Sequence, residues 1–466
     1  MNSNDRSYDL VIVGAGPAGM AAAVQACDLG LSVVLLDEQP RSGGQIYRNV
    51  GRQRLQNKNI LGSDYQAGLG LLEQFRKSGC TVISNATVWQ ISDDKQVFYS
   101  VAGKSSAVTG GRVLLATGAQ ERPMPIPGWT LPGVMTAGAA QILLKSPGIA
   151  AEGAVFAGCG PLLYLIAWQY IQAGVKVKAV LDTTESGNYG KAVAQWRSAL
   201  AGYRYLLKGI KLIAGIRQAG VPIVRGVTEL EAVADTNGNL GEVHYRTKEG
   251  MQSLTTEHLF LHQGVIPQVN LAMASGCEVE WHQRQLCWQP KTGDWGESSR
   301  ERIYIAGDAI GIGGAVAAAL RGKLAALDVA AVTGRINRQK RDALAEPVKS
   351  ELKRELGFRP FLEVLYRPAD QFRLPRRDDA IVCRCEEISL ADIRSAAEKG
   401  CMGPNQLKSF TRCGMGPCQG RQCGNTVSEL MGQISGVGVE SAGYYRLRAP
   451  VKPLNMSELA SLADEH

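Results

Sequence analysis

The sequence predicts an α/β chain of two dinucleotide-binding domains, followed by a small helical module that carries a cysteine cluster. Three observations predict it. The apolar run Leu10-Val11-Ile12-Val13 enters Gly14-Ala15-Gly16-Pro17-Ala18-Gly19, and a second apolar run ends at Asp37-Glu38. A unit of similar design starts at Ala154-Val155-Phe156-Ala157 and runs into Gly158-Cys159-Gly160-Pro161-Leu162-Leu163. Near the C-terminus, Cys383 and Cys385 stand as C-x-C, and Cys413 and Cys418 as C-x4-C.

The length of 466 residues exceeds one ordinary core and calls for two or three domains. Hydrophobic residues at 45% and charged residues at 20% describe a soluble globular protein, and 54 glycines fit a fold with many tight phosphate-binding turns. Aromatics at 6% and a net charge of +8 without a dense basic tract argue against a nucleic-acid binder. Basic residues gather between Arg335 and Arg359, with Asp342, Glu346, Glu351 and Glu355 interleaved. A solvated helix face explains them, and a docking face for an acidic partner or a membrane surface is the alternative. The first residues lack the basic and apolar regions of a signal peptide, and no apolar run approaches the roughly 18–20 residues that span a bilayer. Eleven cysteines, an odd count with six in the C-terminal module, argue against a secreted disulfide framework. The expectation is a cytoplasmic protein, with peripheral contact to the inner face of the membrane left open.

In the first unit, Gly14 suits a tight turn, Gly16 lets backbone approach a pyrophosphate, and Gly19 lets helix and strand pack closely. The helix start over Ala15, Pro17 and Ala18 would face the phosphates, with the N–H groups coming from its residues other than Pro17. An acid about 20 residues on binds ribose hydroxyls, and the spacing leaves Asp37 and Glu38 both eligible. Val113 to Ala119, with Thr117 and Gly118, looks like the strand-end A-T-G motif of two-dinucleotide flavoproteins. Ile303 to Ala309, with Gly307 and Asp308, looks like their late G-D motif. That resemblance implies FAD, a glutathione-reductase-like fold, and an aspartate that holds the flavin ribitol. The Ala- and Gly-rich stretch Gly311 to Ala319 would start a helix whose amides face the isoalloxazine.

The second unit ends its strand Val175 to Leu181 at Asp182, but Leu163 replaces the third glycine. A side chain there should push the helix from the strand and crowd a pyrophosphate, so this domain is expected to be degenerate for NAD(P)H. Phe260 to Pro267 resembles the G-x-x-P segment that returns such chains to the FAD domain. Residues 1–380 contain no C-x-x-C or C-x4-C pair, which argues against disulfide reductase chemistry, and Cys27, Cys80, Cys159, Cys277 and Cys287 read as core thiols. The five histidines form no ligand or triad spacing. The predicted order is a discontinuous FAD domain (1–135 and 285–330), a second Rossmann-like domain (136–284), a helical linker (331–377), the cysteine module (378–435) and a C-terminal segment (436–466).

In the module, Ile388 to Lys399 has helical spacing with Ser389 as cap, and Gly414 to Gly424 is a glycine-rich loop of the kind that surrounds cluster sulfurs with N–H groups. Four thiolates suit zinc or [2Fe–2S], but zinc knuckles favour C-x-x-C on both sides. The reading is a [2Fe–2S] cluster on Cys383, Cys385, Cys413 and Cys418, with Cys401 and Cys423 extra and Cys423 close enough in sequence to substitute.

Cys383-Arg-Cys385-Glu-Glu and Cys413-Gly-Met-Gly-Pro-Cys418-Gln-Gly-Arg resemble the [2Fe–2S] domain of bacterioferritin-associated ferredoxin. Gly43-Gly44-Gln45-Ile46-Tyr47-Arg48, Ala116 to Pro123, Pro127 to Val134 and the tail Tyr445 to Pro453 look like the α subunits of bacterial heteromeric amine dehydrogenases of the hydrogen cyanide synthase, opine oxidase and hydroxyproline dehydrogenase type. The resemblance adds Gly44, Gln45 and Arg48 to the cofactor-binding residues. It implies a separate flavoprotein β subunit, resembling glycine and D-amino acid oxidases, that oxidises the C–N bond. It also implies electron relay through the FAD and cluster of this chain, a small [2Fe–2S] ferredoxin-like subunit, and a quinone or respiratory acceptor. Two other readings are a self-sufficient NAD(P)H-dependent FAD/[2Fe–2S] reductase and a scaffold subunit with structural FAD.

Overall fold

The computed structural model describes residues 7–52 and 60–463; residues 1–6 and His466, which entered the sequence reading, lie outside the described residues. Strand Ser7–Val13 is buried from Leu10 onward, as a parallel strand covered on both faces must be. It pairs in parallel with Val33–Asp37 on one side and Lys104–Leu115 on the other, so Ile12 faces Leu35 and Leu114. Thr81–Ser84 and Ile303–Ile305 extend this parallel sheet outward. The N-terminal half of Lys104–Leu115 pairs antiparallel with Gln96–Val101, which pairs with Thr87–Ile91. Helices Pro17–Asp28 and Ala315–Val332 cross closely because Gly322 has no side chain; a Cβ there would meet the Ala18 carbonyl oxygen at 2.1 Å.

The second unit is a five-stranded parallel sheet in the order Ile223–Arg225, Val177–Asp182, Ala154–Cys159, Leu259–Gln263, Val134–Thr136. One face packs Phe156, Tyr170 and Phe260 edge to face, with centroids 5.1–5.7 Å apart. Over the other lies the antiparallel sheet Glu229–Ala234, Leu240–Thr247, Gly250–Thr255, whose Leu230 and Val243 join Val155 and Leu181 in one cluster. The chain crosses between units where Val265–Pro267 pairs antiparallel with Ala119–Glu121.

Helix Arg338–Leu356, N-capped by Asn337, leads from the body to helix Arg359–Leu365 and then the cysteine module. That module is a short hairpin, Ile381–Cys383 with Ile388–Ser389, and three helices: Leu390–Glu398, Pro404–Thr411 and Gly424–Ser435. Ser389 caps the first in a reciprocal capping box with Asp392. The module has no separate core. Its Leu390, Ile393, Val427 and Met431 share a cluster with Trp281 and Trp288, from strands Val279–His282 and Cys287–Pro290 of the body. Gly443 onward packs back across the molecule, with Val451 N–H donating to the Trp89 carbonyl and Lys452 paired with Glu38 at 2.7 Å.

Candidate functional site

The first site is built from glycines that bring three loops together. Gly14 takes φ +107°, and a Cβ there would meet the Ala116 carbonyl oxygen at 2.5 Å; at Gly19 it would meet the Gly14 oxygen at 1.9 Å. Gly44 (φ +59°) lies against Gly16, 2.8 Å from a built Cβ to Cα, and Gly307 (φ +80°) lies equally close to the Ala18 side chain. The loops at 14–19, 43–48, 116–118 and 307–308 therefore form one cradle at the N-terminus of helix Pro17–Asp28, where free amides favour an anion.

The two acids at the strand end have different surroundings. Asp37 turns inward, Oδ2 accepting from the Ala15 N–H at 2.5 Å and Oδ1 from Gln39 N–H at 2.7 Å. Burial raises its pKa despite these bonds. Glu38 is half-exposed; burial opposes its charge, but the Lys452 hydrogen bond and ammonium outweigh that and hold its pKa low. Asp308 Oδ1 accepts from the Gly313 and Gly314 N–H groups at 2.8 and 3.1 Å, which fixes the turn into helix Ala315–Val332. Arg48 donates to Gln39 and Gln45 side chains, while its buried Nε has no partner among the described residues. These features, loops that only glycines let approach so closely and an orphaned guanidinium nitrogen, fit a dinucleotide such as FAD.

Lys145, which the sequence does not mark, steadies this loop. Its ammonium donates to the Gln45 and Ile46 carbonyls at 3.1 and 2.9 Å and to Gln141 Oε1 at 2.9 Å, and burial pushes its pKa down to about 7.

The second unit keeps the glycine loop. Gly158 (φ +143°) and Gly160 (φ +111°) retain the turn, and helix Pro161–Gln172 follows with Leu163 fully buried in the apolar core. Asp182 is 1% exposed: Oδ2 accepts from the Tyr164 hydroxyl at 2.6 Å and Oδ1 from Thr184 N–H at 2.9 Å. The Cys159 thiol, inside the glycine loop, donates to the Tyr366 carbonyl at 3.7 Å, and Asn188 donates to the Arg367 carbonyl. The segment after the linker helix thus lies against the loop where a nucleotide would sit.

The thiols of the module fall into a group of three and a pair. The sulfurs of Cys383, Cys413 and Cys423, all buried, lie within 4.8 Å of one another. Cys385 and Cys418 are within hydrogen-bond reach of each other. Gly416 permits this, since a Cβ there would lie 2.4 Å from the Cys385 Cβ. Of the four predicted ligands, Cys383 and Cys413 are brought together with Cys423, while Cys385 and Cys418 lie beside each other; Cys401 stands apart, its thiol donating to Gly403 O at 3.5 Å. Hydrogen bonds from Cys413 and Cys423, with the Gly414 N–H at 3.4 Å, overcome burial and pull the Cys383 thiol down to about 2, while Cys413 is pushed up to about 12. A buried thiolate gathered with other thiols and backbone donors is a donor set for an iron–sulfur cluster.

Tyr445 roofs this pocket. It is fully buried, and its hydroxyl donates to Cys413 Sγ at 3.4 Å and reaches Cys423 Sγ at 3.7 Å. Gly414 and Gly420 make room for its ring, which a Cβ at either would approach to 2.5 and 2.8 Å. The two sites are joined by polar contacts. Thr117 Oγ1 donates to the Gln268 carbonyl at 3.3 Å, Gln268 Nε2 donates to Gln120 Oε1 at 2.6 Å, and Gln120 Nε2 donates to the Arg421 carbonyl in the cysteine loop. Asn270 adds a bond to the Gln419 carbonyl at 2.8 Å.

Of the scattered thiols, Cys159, Cys277 and Cys287 are buried, but Cys27 and Cys80 are neighbours within hydrogen-bond reach. Their separation in sequence hid this. Cys27 ends helix Pro17–Asp28, whose other end faces the cradle, about 15 Å away at 1.5 Å per residue. His262, 3% exposed, pairs with Glu121 at 2.7 Å at the crossing between units.

Residues 8–331 match the Pyridine nucleotide-disulphide oxidoreductase family, and residues 381–433 match the BFD-like [2Fe-2S] binding domain. An opine oxidase subunit of Rhizobium meliloti is 45% identical over 98% of this chain and 88% of its own length. The chain belongs to this opine oxidase family. Hydrogen cyanide synthase subunit HcnB of Pseudomonas aeruginosa is 32% identical, over 98% of this chain and 99% of its own length. Among solved structures, L-proline dehydrogenase from P. horikoshii aligns with a TM-score of 0.70 at 19% identity, covering 97% of this chain and 79% of that one, and shares the fold. As a member of the opine oxidase family, the chain is an oxidoreductase subunit with a flavin-binding redox domain and a [2Fe–2S]-binding domain. No helix among the described residues is long and apolar enough to cross a membrane.

Proposed function

We propose that this chain is the electron-transfer subunit of a heteromeric amino- or imino-acid dehydrogenase of the opine, glycine or hydroxyproline type. A partner flavoprotein subunit resembling glycine and D-amino acid oxidases would oxidise the C–N bond. Electrons would then pass through this chain toward a quinone or respiratory acceptor, and a small ferredoxin-like subunit would complete the complex. The observation that carries this reading is the polar path Thr117–Gln268–Gln120–Arg421, which joins a dinucleotide cradle to the loop of a three-thiol cluster within one polypeptide.

When bound, a flavin accepts electrons in pairs and a [2Fe–2S] centre handles them singly. The residues have separable tasks. The backbone from Gly14 to Gly19 would face the pyrophosphate, and Asp37 holds that loop in shape, which would leave Glu38 for the ribose. Gly44, Gln45 and Arg48 would close the cradle from one side; Thr117, Gly118, Gly307 and Asp308 would close it from the other. Cys383, Cys385, Cys413 and Cys418 would hold the cluster, with the Gly414 N–H donating to Cys383 Sγ and the Tyr445 hydroxyl to Cys413 Sγ.

The second Rossmann unit favours the alternative of a self-sufficient NAD(P)H reductase. Against it, Asp182 is buried beneath Tyr164 and the Tyr366–Arg367 backbone lies on the glycine loop. The leading reading predicts that Cys383→Ser, made in the complex with its partner, removes the cluster bands, keeps the flavin and drops amine-dependent acceptor reduction to background. Normal turnover after cluster loss would make the chain a scaffold instead.

A further inference from the structure

Residues 186–218 form three consecutive helices, Ser186–Val193, Trp196–Ala201 and Tyr203–Gln218, on the edge of the second unit. Across the last two, Ile216 is the one buried residue. Their outer side carries Val193, Trp196, Leu200, Tyr203, Leu207 and Ile210, each between 52% and 70% exposed and spaced three or four residues apart. A row of large apolar side chains turned to water opposes the usual amphipathic arrangement and marks a contact surface. The inner side is already engaged. Tyr205 stacks on Phe358 (5.6 Å, 11°) and donates to Glu355, Lys208 pairs with Asp64, and Gly202 and Gly215 seat the Phe358 and Trp168 rings.

Charge identifies the occupant. Between Ser186 and Gln218 the chain has Lys191, Arg197, Arg204, Lys208, Lys211 and Arg217, and neither Asp nor Glu. Two of these cations sit beside exposed rings, Arg197 5.4 Å from the Trp196 centroid and Arg204 5.9 Å from that of Tyr203. A helical protein partner would favour an unbroken seam with acids and bases alternating beside it. Here the helices break at residues 194–195 and at Gly202, and acids are absent. Aliphatic side chains, indole and phenol rings at the boundary, and cations around them match a bilayer surface that bears anionic headgroups.

We propose that residues 186–218 dock this chain on an anionic lipid surface, with Trp196, Leu200, Tyr203, Leu207 and Ile210 entering the headgroup boundary and Lys191, Arg197, Arg204, Lys211 and Arg217 meeting lipid phosphates. The surface is read from these helices alone and does not depend on the route of the electrons. The experiment floats the purified full-length protein with vesicles of phosphatidylglycerol and phosphatidylethanolamine, and with vesicles of phosphatidylcholine alone. Binding to the anionic vesicles, weakened by salt and absent from the neutral ones, is expected. Arg197→Glu with Lys211→Glu should weaken binding by roughly tenfold or more, and Trp196→Ala with Leu200→Ala should do the same, while the flavin spectrum and circular dichroism stay unchanged. Equal partition of parent and variants, or no flotation at low salt, would overturn the proposal. So would variants that still float but no longer co-purify with a partner protein, which would make the surface a protein interface.

Discussion

Gly19 and Tyr445 show how single residues set the two sites. A methyl group at residue 19 would lie 1.9 Å from the Gly14 carbonyl oxygen, so Gly19→Ala must separate helix from strand at the phosphate loop. Overpacking of this kind costs about 1–3 kcal/mol, and the variant should purify with little flavin, read from the ratio of visible to ultraviolet absorbance. Full flavin content would mean that the loop is not the cofactor cradle. Tyr445→Phe keeps the ring between Gly414 and Gly420 but removes the hydroxyl that donates to Cys413 Sγ. Hydrogen bonds to cluster sulfurs set reduction potential, and a lost donor leaves the reduced, more negative state less favoured. The cluster should remain bound with a lower potential in an EPR-monitored titration; an unchanged potential would reduce Tyr445 to a packing role. Gly19 was legible because its motif encodes a backbone approach. Tyr445 was not, because its hydroxyl meets Cys413 only after the chain has folded back across the module.

At the scale of elements, the strand–loop–helix units were legible as hydrophobic runs ending in glycines, and Ser389 as a helix cap. What the sequence could not convey is the direction in which an acid points. Asp37 and Glu38 are adjacent, yet one faces the loop amides and the other Lys452 from the tail. Leu163 is a similar case. The missing glycine predicts a crowded site, whereas the structure buries Leu163 in the apolar core and sets the Tyr164 hydroxyl on Asp182 and the Tyr366 carbonyl beside the Cys159 thiol of the loop. Leu163→Gly is therefore predicted to cost about 2–5 kcal/mol or more of stability, as buried Leu-to-small changes do, without creating NADH binding in a fluorescence titration. Tight NADH binding by that variant would show that Leu163 alone blocks the site. The tail makes a pH-dependent contact. The Glu38 carboxyl is held below its ordinary 4.5, so its pairing with Lys452 contributes fully above that pH and is lost as pH falls through the lower folded-state value. With Glu38 half-exposed, the effect is at most about 1 kcal/mol. Exchange protection of the Val451 amide, after correction for the intrinsic rate at each pH, should fall below pH 4.5 and should be lower at neutral pH in Lys452→Ala.

The order of the parts along the whole chain was readable, because glycine fingerprints and clustered cysteines are local in sequence. Their assembly was not. Trp281 and Trp288 of the body share a core with the cysteine module, and Gln120, Gln268 and Asn270 tie the cysteine loop to the segment behind Thr117. Such contacts span more than a hundred residues of sequence and follow no local period. They tie the cysteine module and the dinucleotide-binding body into one packed structure rather than a flavoprotein with a loosely appended module. The most direct test is to purify the chain alone without oxygen and record its visible spectrum before and after adding NADH and NADPH. The account predicts that flavin and cluster bands are both present and persist until the partner flavoprotein and its amine substrate are added. Bleaching of the flavin within seconds of adding either nucleotide would contradict it and make the second unit a working reductase site.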